Sequence, residues 1–313
     1  MNSDDIIDVA DLDCIYLSYD EPQKEEFWLK IKNMVPWAKR VDGVKGSDAA
    51  HKAAGEASDT ERFILIDGDN MPDESFFNLQ LDFTGLDPNY HLAQYRWRAI
   101  NAINGLRYGN GGMSSWTKSY VANMKTHESS DGSDATNVDF CMDSSDNLYW
   151  AMHDCFSTTY PNYTPFQAWR AGFREGVKMT LLDGVRVPPQ EIQERIWWHN
   201  IHRLRMWSTV GAHEENGLYA VYGARLGTWL ANCTEWNYVE VRDFEILRGI
   251  WNQYGRPFEE VGGTGLREEI KSLGDKIKFN LGLDWPYLDE AQSKYTIELY
   301  DETINLGLTY FRQ

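Results

Sequence analysis

A chain of 313 residues with 42% hydrophobic content can bury a sizeable core, while 48 acidic against 30 basic side chains give a net charge of −18. That charge argues against general affinity for nucleic acid or for an anionic membrane. No apolar run reaches membrane-spanning length, and the acidic residues 1–13 lack the basic and apolar regions of a secretory signal, so a cytoplasmic protein with no membrane partner is expected.

Residues 14–19 read as a first strand, ended by Asp20-Glu21-Pro22. Residues 23–34 place Phe27, Trp28, Ile31 and Met34 at helical spacing and predict a helix returning over a sheet. Residues 37–44 give a second strand, and Ser47 is a suitable N-cap for a helix to residue 57. Next comes Arg62-Phe63-Ile64-Leu65-Ile66-Asp67-Gly68-Asp69-Asn70, an apolar run that meets two aspartates separated by one glycine. Such a run reads as a buried parallel strand whose end opens into a loop. The order β-α-β-α-β is half of a nucleotide-binding sheet and places the chain in the α/β class.

Ligands of open α/β sheets bind at the carboxyl ends of the strands, where Asp67, Gly68 and Asp69 fall. The loops after the first two strands share that rim, so Ser18, Tyr19, Asp20 and Lys45 are placed to touch a base, ribose or phosphate. A turn before Pro22 explains Asp20 equally well, and a solvated charge explains Lys45. Two hard oxygen donors this close suit Mn²⁺ or Mg²⁺ carrying a diphosphate, although acidic glycine turns are common strand terminators. An EF-hand loop from Asp67 fails, because Pro72 and Asn78 stand where glycine and glutamate are needed. A phosphohydrolase with Asp67 as nucleophile is a rival, but Met71 stands where that class has Thr or Val, and two strands precede the motif.

Further on, Gly109, Gly111 and Gly112 lie within four residues, in a loop that lets backbone approach a ligand or makes a tight turn. Asn110, with Trp116 beyond, suits the edge and face of a sugar, so Asn110, Gly111, Gly112 and Trp116 are candidate acceptor contacts. Residues 125–137 read as a flexible loop and 138–142 as a strand. Residues 149–156 carry His153 and Asp154, and a helix over 167–180 carries Arg170, Arg174, Glu175 and Lys178. Arg170, Arg174 and Lys178 form a ladder that is either a solvated face or an anion contact. Glu175 is a candidate general base and Asp154 a second catalytic carboxylate. Pro188-Pro189 starts a long helix with Ile192, Ile196, Leu204 and Trp207 as its buried stripe. His199 and His202 have chelating spacing but no carboxylate beside them, which favours packing or surface roles. His213, in the acidic loop 211–217, is the candidate third metal ligand. Residues 219–231 read as helix or strand and 240–311 as mostly helix, giving domains at 1–232 and 233–313.

With Tyr16-Leu17-Ser18-Tyr19-Asp20-Glu21 and Ile64-Leu65-Ile66-Asp67-Gly68-Asp69-Asn70 in place, residues 1–115 resemble glycosyltransferases of the GT-A type. The resemblance implies a Rossmann-like sheet with an appended helical C-terminal region, and a UDP-sugar donor. It further implies Asp69 as a metal ligand, with Asp67 reaching the ribose or the metal. Residues 104–112 and 168–178 are similar to segments of glycosyltransferase-like proteins of tailed bacteriophages. Some relatives of such phages are understood to add arabinose or glucose to hydroxymethylcytosine in their own DNA. The implied acceptor is therefore 5-hydroxymethylcytosine in phage DNA within the host cytoplasm, with a glycan or protein hydroxyl as the alternative. A base in duplex DNA would have to be flipped out. Its phosphates would fall to Arg96, Arg98, Arg107 and to Arg170, Arg174, Lys178. The late acidic catalytic motif of the family is not apparent, which leaves the base and the stereochemical outcome open. A nucleotide-sugar binder without catalysis is a third class.

Overall fold

The computed structural model describes residues 5–126 and 149–310, with backbone alone at 109–111, 149 and 301–310. The strand expected over 138–142 and most of the loop expected over 125–137 lie outside the described residues. Two compact units are formed, one from residues 5–101, 107–126 and 149–160, the other from 102–106 and 161–310. No helix among the described residues is long and apolar enough to cross a membrane.

The first unit begins with β1 (Ile6–Asp8), β2 (Asp13–Ser18), α1 (Lys24–Met34), β3 (Lys39–Asp42), α2 (Ser47–Ala57) and β4 (Arg62–Asp67), the order that residues 14–66 predict. It continues with β5 (Asn70–Pro72), β6 (Gln80–Asp82), β7 (Gln94–Asn101), β8 (Arg107–Thr117), α3 (Lys118–Asn123) and β9 (Tyr149–Thr159). Seven strands make a mixed sheet in the order β3-β2-β4-β8-β7-β9-β5. β3, β2 and β4 are parallel, β8 runs antiparallel to β4 and β7, β9 is parallel to β7, and β5 is antiparallel to β9. β1 and β6 pair separately.

The unbroken apolar run of β4 follows from burial on both faces of the sheet. Ile64 and Ile66 pack with Tyr16, Phe27, Ile31, Trp97 and Met113 on one side. Phe63 and Leu65 pack with Ile15, Ala54, Trp116 and Val121 on the other. Each such side chain contributes about 1.5–3 kcal/mol by leaving water. Gly46, with φ +95°, is the N-cap of α2, and Ser47 is its first helical residue. The run Gly109 to Gly112 is not a loop: it lies inside β8, and the chain reverses earlier, over residues 102–106. β8 is paired with both β4 and β7 at Met113, Ser114 and Ser115, and the register irregularity between Trp97 and Ala99 falls opposite the glycine-rich stretch.

The second unit contains α4 (Pro165–Lys178), a small hairpin of β10 (Leu181–Leu182) and β11 (Val185–Arg186), α5 (Ile192–Arg195), α6 (Trp198–Thr209), α7 (Gly217–Cys233), α8 (Phe244–Tyr254), α9 (Arg256–Glu260), α10 (Leu266–Leu281) and α11 (Glu290–Tyr310). α4 and α7 meet backbone to backbone. A β-carbon at Gly172 or Gly176 would overlap the carbonyls of Ala220 or Ala224, and one at Gly223 or Gly227 would overlap those of Trp169 or Phe173. This close fit groups residues 165–233 with the C-terminal helices, whereas the sequence expects the division at residue 232. The long helix expected after Pro189 is broken, since Ile196 and Trp197 are extended between α5 and α6. Buried Arg225 of α7 donates to the carbonyls of Ser208, Ile270, Trp285 and Pro286, tying three elements together.

Candidate functional site

Three parallel strands deliver their last residues, Ser18, Asp42 and Asp67, to one rim of the sheet in the first unit. Ser18 is the register partner of Asp42, and Leu17 that of Asp67. Tyr16, buried in β2, donates its hydroxyl to the Gly68 carbonyl at 2.8 Å and so fixes the turn between Asp67 and Asp69.

The far side of that turn is held by neighbouring backbone and side chains. Tyr160 N–H donates to the Asp69 carbonyl at 2.8 Å. Asn70 Nδ2 donates to Asp69 Oδ1 at 2.8 Å, and Ser157 Oγ donates to Asn70 Oδ1 at 3.1 Å. Gly112 makes room for this support, because a β-carbon there would overlap the Asn70 amide.

Negative charge is concentrated at the turn. A β-carbon on Gly68 would stand 2.5 Å from Glu21 Oε2, so the Glu21 carboxylate rests against the Asp67-Gly68-Asp69 backbone. Burial pushes the Asp67 carboxyl well above the ordinary aspartate range, and Asp69 and Glu21 push it the same way against the opposing pull of Arg96. Burial likewise raises Glu21, with the Tyr19 N–H opposing and Asp69 and Asp20 adding to the rise. A bound cation would relieve this repulsion. Among the described residues no group of three His, Cys, Asp or Glu is arranged to hold a metal. Mg²⁺ takes one or two carboxylates and completes its shell with water and substrate phosphates, and the Asp67-Gly68-Asp69 turn fits that demand.

Beside the acidic turn lies a second network. Asp42 Oδ1 accepts from Ser18 Oγ at 2.7 Å and from Lys24 Nζ at 2.9 Å, and Lys24 Nζ also reaches the Tyr19 carbonyl at 2.8 Å. Arg40 Nε donates to Ser18 Oγ at 3.1 Å while its other nitrogens clasp Glu25. Partial burial works against the Asp42 charge, but Lys24, Ser18 and Arg40 outweigh it and hold the carboxyl below its usual range. Lys24, Arg40 and Asp42 escape the sequence reading, although Val41-Asp42-Gly43 repeats the strand-Asp-Gly signature of Ile66-Asp67-Gly68.

The remaining expected residues fall in several places. Tyr19, Asp20 and Lys45 are exposed, and Tyr19 N–H donates to Glu21 Oε2 at 2.7 Å. Trp116 is fully buried, its Nε1 donating to Ser114 Oγ at 2.7 Å and its ring edge-on to His51, which puts it in the core rather than where an acceptor could reach it. Gly112 is also buried. The side chain of Asn110, and Gly111 beside it, lie outside what the structure describes. Asp154 is exposed on β9 in the first unit. Glu175, Arg170, Arg174 and His213 belong to the second unit. Glu175 is ion-paired with Lys178 at 2.5 Å, and His213 with Glu214 at 3.2 Å. Arg170 and Arg174 stack over Phe244 at 4.7 and 5.4 Å.

No protein-family model matches the chain, and no curated protein matches it in sequence. Among solved structures, one similar chain is described as a glycosyltransferase involved in the glycosylation of the major capsid of PBCV-1. It shares 16% identity over 36% of this chain and 62% of that one, with a TM-score of 0.23, a likeness too slight to carry an argument.

Proposed function

We propose that this protein is a metal-dependent glycosyltransferase of the GT-A type that uses a UDP-sugar. The observation that carries the reading is the Asp67-Gly68-Asp69 turn, clamped by Tyr16 and Asn70 at the rim where β2, β3 and β4 end. In this reading Asp67 and Asp69 are the residues that would hold Mn²⁺ or Mg²⁺. When bound, the ion offsets charge on the departing nucleoside diphosphate. Ser18 and Asp42 face the nucleoside, with Lys24 and Arg40 fixing the Asp42 carboxylate. Asn70 keeps Asp69 in one orientation, and Arg96 moderates the charge on Asp67.

The acceptor supplies a hydroxyl whose oxygen bonds to the anomeric carbon as the diphosphate leaves with its bonding electrons. The hydroxyl proton passes to a base, for which Asp154 on β9 is the candidate within the first unit. We take the acceptor to be 5-hydroxymethylcytosine in phage DNA, receiving arabinose or glucose. A glycan or protein acceptor would need none of the basic residues on the second unit.

A thermal-shift series of UDP-sugars with and without Mn²⁺ tests the reading, since a ligand of the folded state must raise its apparent stability. A shift that requires both donor and metal, and that is lost in Asp69→Ala, is the expected result. Release of phosphate from simple phosphomonoesters with no response to any nucleotide sugar would instead make Asp67 the nucleophile of a phosphohydrolase.

A further inference from the structure

Tyr16 stands in the middle of β2 with its side chain wholly buried. It is the register partner of Ile66, and its ring shares one core with Phe27, Ile31, Ile64 and Ile66. The Trp28 indole stacks with that ring at 6.1 Å between centroids, and the Arg40 guanidinium lies over it at 5.8 Å. Phenylalanine would make all of these contacts. A core position of this kind has no use for a hydroxyl, since burying one without a partner is unfavourable. Yet the residue is tyrosine, and its hydroxyl reaches past the end of β4 to donate to the Gly68 carbonyl, 52 residues along the chain, at 2.8 Å.

That carbonyl belongs to the planar peptide joining Gly68 to Asp69, so its direction helps to set where the Asp69 carboxylate stands relative to Asp67. Glycine has the widest choice of backbone conformations of any residue, and a hydrogen bond from outside the turn narrows that choice. The next carbonyl, that of Asp69, is held by the backbone N–H of Tyr160, a group that almost any residue provides. The Gly68 carbonyl is held by a side chain, so its support depends on which residue occupies position 16. Close packing around the ring leaves the hydroxyl little freedom to follow another acceptor.

We infer that Tyr16 is a positioning residue for the metal-binding turn, its hydroxyl holding the Gly68–Asp69 peptide in the orientation that lets the Asp67 and Asp69 carboxylates take one cation. The inference rests on the glycosyl-transfer reading for the cation and goes beyond it by giving a core side chain control over metal affinity. Loss of the hydroxyl should weaken the metal's contribution to donor binding. Recognition of the nucleoside, which that reading gives to Ser18 and Asp42, should persist.

The test compares the full chain with its Y16F and I31V variants. UDP affinity is measured by calorimetry at one fixed Mn²⁺ concentration and again with a chelator, and the ratio of the two is the metal's contribution. In Y16F that ratio is expected to fall about tenfold, the scale of one lost hydrogen bond, while metal-free UDP binds within about twofold of wild type. Ile31 lies on α1 in the same core. I31V should lower the melting temperature by a few degrees, much as Y16F does, and leave the ratio unchanged. An unchanged ratio in Y16F overturns the inference, whether the two affinities stay at wild type or fall together. An equal fall in I31V also overturns it, because general loosening of the core would then explain the effect. If Mn²⁺ adds nothing to UDP binding by the wild-type chain, the metal-dependent transferase reading and this inference fall together. A wild-type chain that needs Mn²⁺, with Y16F matching it, removes this inference alone.

Discussion

The carboxylate of Glu21 covers the α-carbon of Gly68: a β-carbon there would stand 2.5 Å from Glu21 Oε2 and 3.0 Å from Oε1. The glycine between the two aspartates is thus required by a third acid, which itself accepts the Tyr19 N–H at 2.7 Å.

Gly68→Ala is therefore expected to push the Glu21 side chain aside. The displaced group is the end of a flexible side chain, so the loss of stability should stay near or below about 1–3 kcal/mol, the range of modest overpacking. The metal-dependent response to donor should fall much further, about tenfold or more, because the displaced Glu21 carboxylate no longer rests against the turn that carries Asp67 and Asp69. Calorimetric titration of Mn²⁺ with donor into both proteins checks this. Equal affinity in the variant would show that Glu21 and the turn act independently.

The raised carboxyls of Asp67 and Glu21 give a signed pH dependence. Below the ordinary carboxylate range, about pH 4, both groups are protonated in the folded and unfolded chains and contribute nothing. As pH rises from there through the raised folded values, the folded state holds protons that the unfolded chain has lost, so stability falls. Asp67→Asn should remove much of that decline when melting temperature is followed from pH 4 to neutrality in the presence of a chelator. In the wild-type protein the stabilisation by Mn²⁺ should grow across the same window, because metal ligands bind deprotonated. A wild-type profile that keeps its full slope in Asp67→Asn would place the titrating group elsewhere.

How much of this could be read in advance depended on which interactions leave a local mark. β4 was legible because burial on both faces forces four apolar residues in a row, and Asp67 and Asp69 followed from where that run stops. Trp116 and Gly112 were not legible, because an aromatic residue beyond a glycine cluster looks alike on a ligand rim and in a core. Only the pairing of β8 between β4 and β7 decides the matter. Lys24 and Arg40 acquire their roles through partners 18 and 22 residues away, Asp42 and Ser18. The association of α4 with α7 was hidden for a similar reason: Gly172 and Gly176 have a helical spacing, but nothing near them in sequence names Ala220 and Ala224.

Asp42 is expected to matter for the donor more than for the fold. Its ion pair with Lys24 is partly exposed, and such pairs contribute little to stability, about 0–1 kcal/mol. A hydrogen bond from the nucleoside to this ionised acceptor is worth about 1.5–3 kcal/mol, so Asp42→Asn should weaken UDP-sugar binding about tenfold while the melting temperature changes little. A competition assay with the bare nucleotide would locate the effect. If affinity for nucleotide and nucleotide sugar is unchanged, Asp42 serves only to anchor Lys24.

The α4 and α7 contact makes the strongest stability prediction. At Gly172 the atoms in the way are the carbonyl and α-carbon of Ala220, which are backbone and cannot swing aside as the Glu21 carboxylate can at Gly68. Gly172→Val must drive the helices apart. The separation would also strain the hydrogen bond from Thr228 Oγ1 to the Gly176 carbonyl at 3.2 Å and that from Asn232 Nδ2 to Thr180 Oγ1 at 2.9 Å. Forced separation of a close-packed pair costs more than replacing one side chain, so a loss above about 3 kcal/mol is expected. Helix propensity works the other way, favouring Val over Gly by only a few tenths of a kcal/mol. Limited proteolysis should then cut within residues 161–310 while the sheet of the first unit stays protected. A Gly172→Val protein that melts like wild type would mean that α4 and α7 are not seated backbone to backbone.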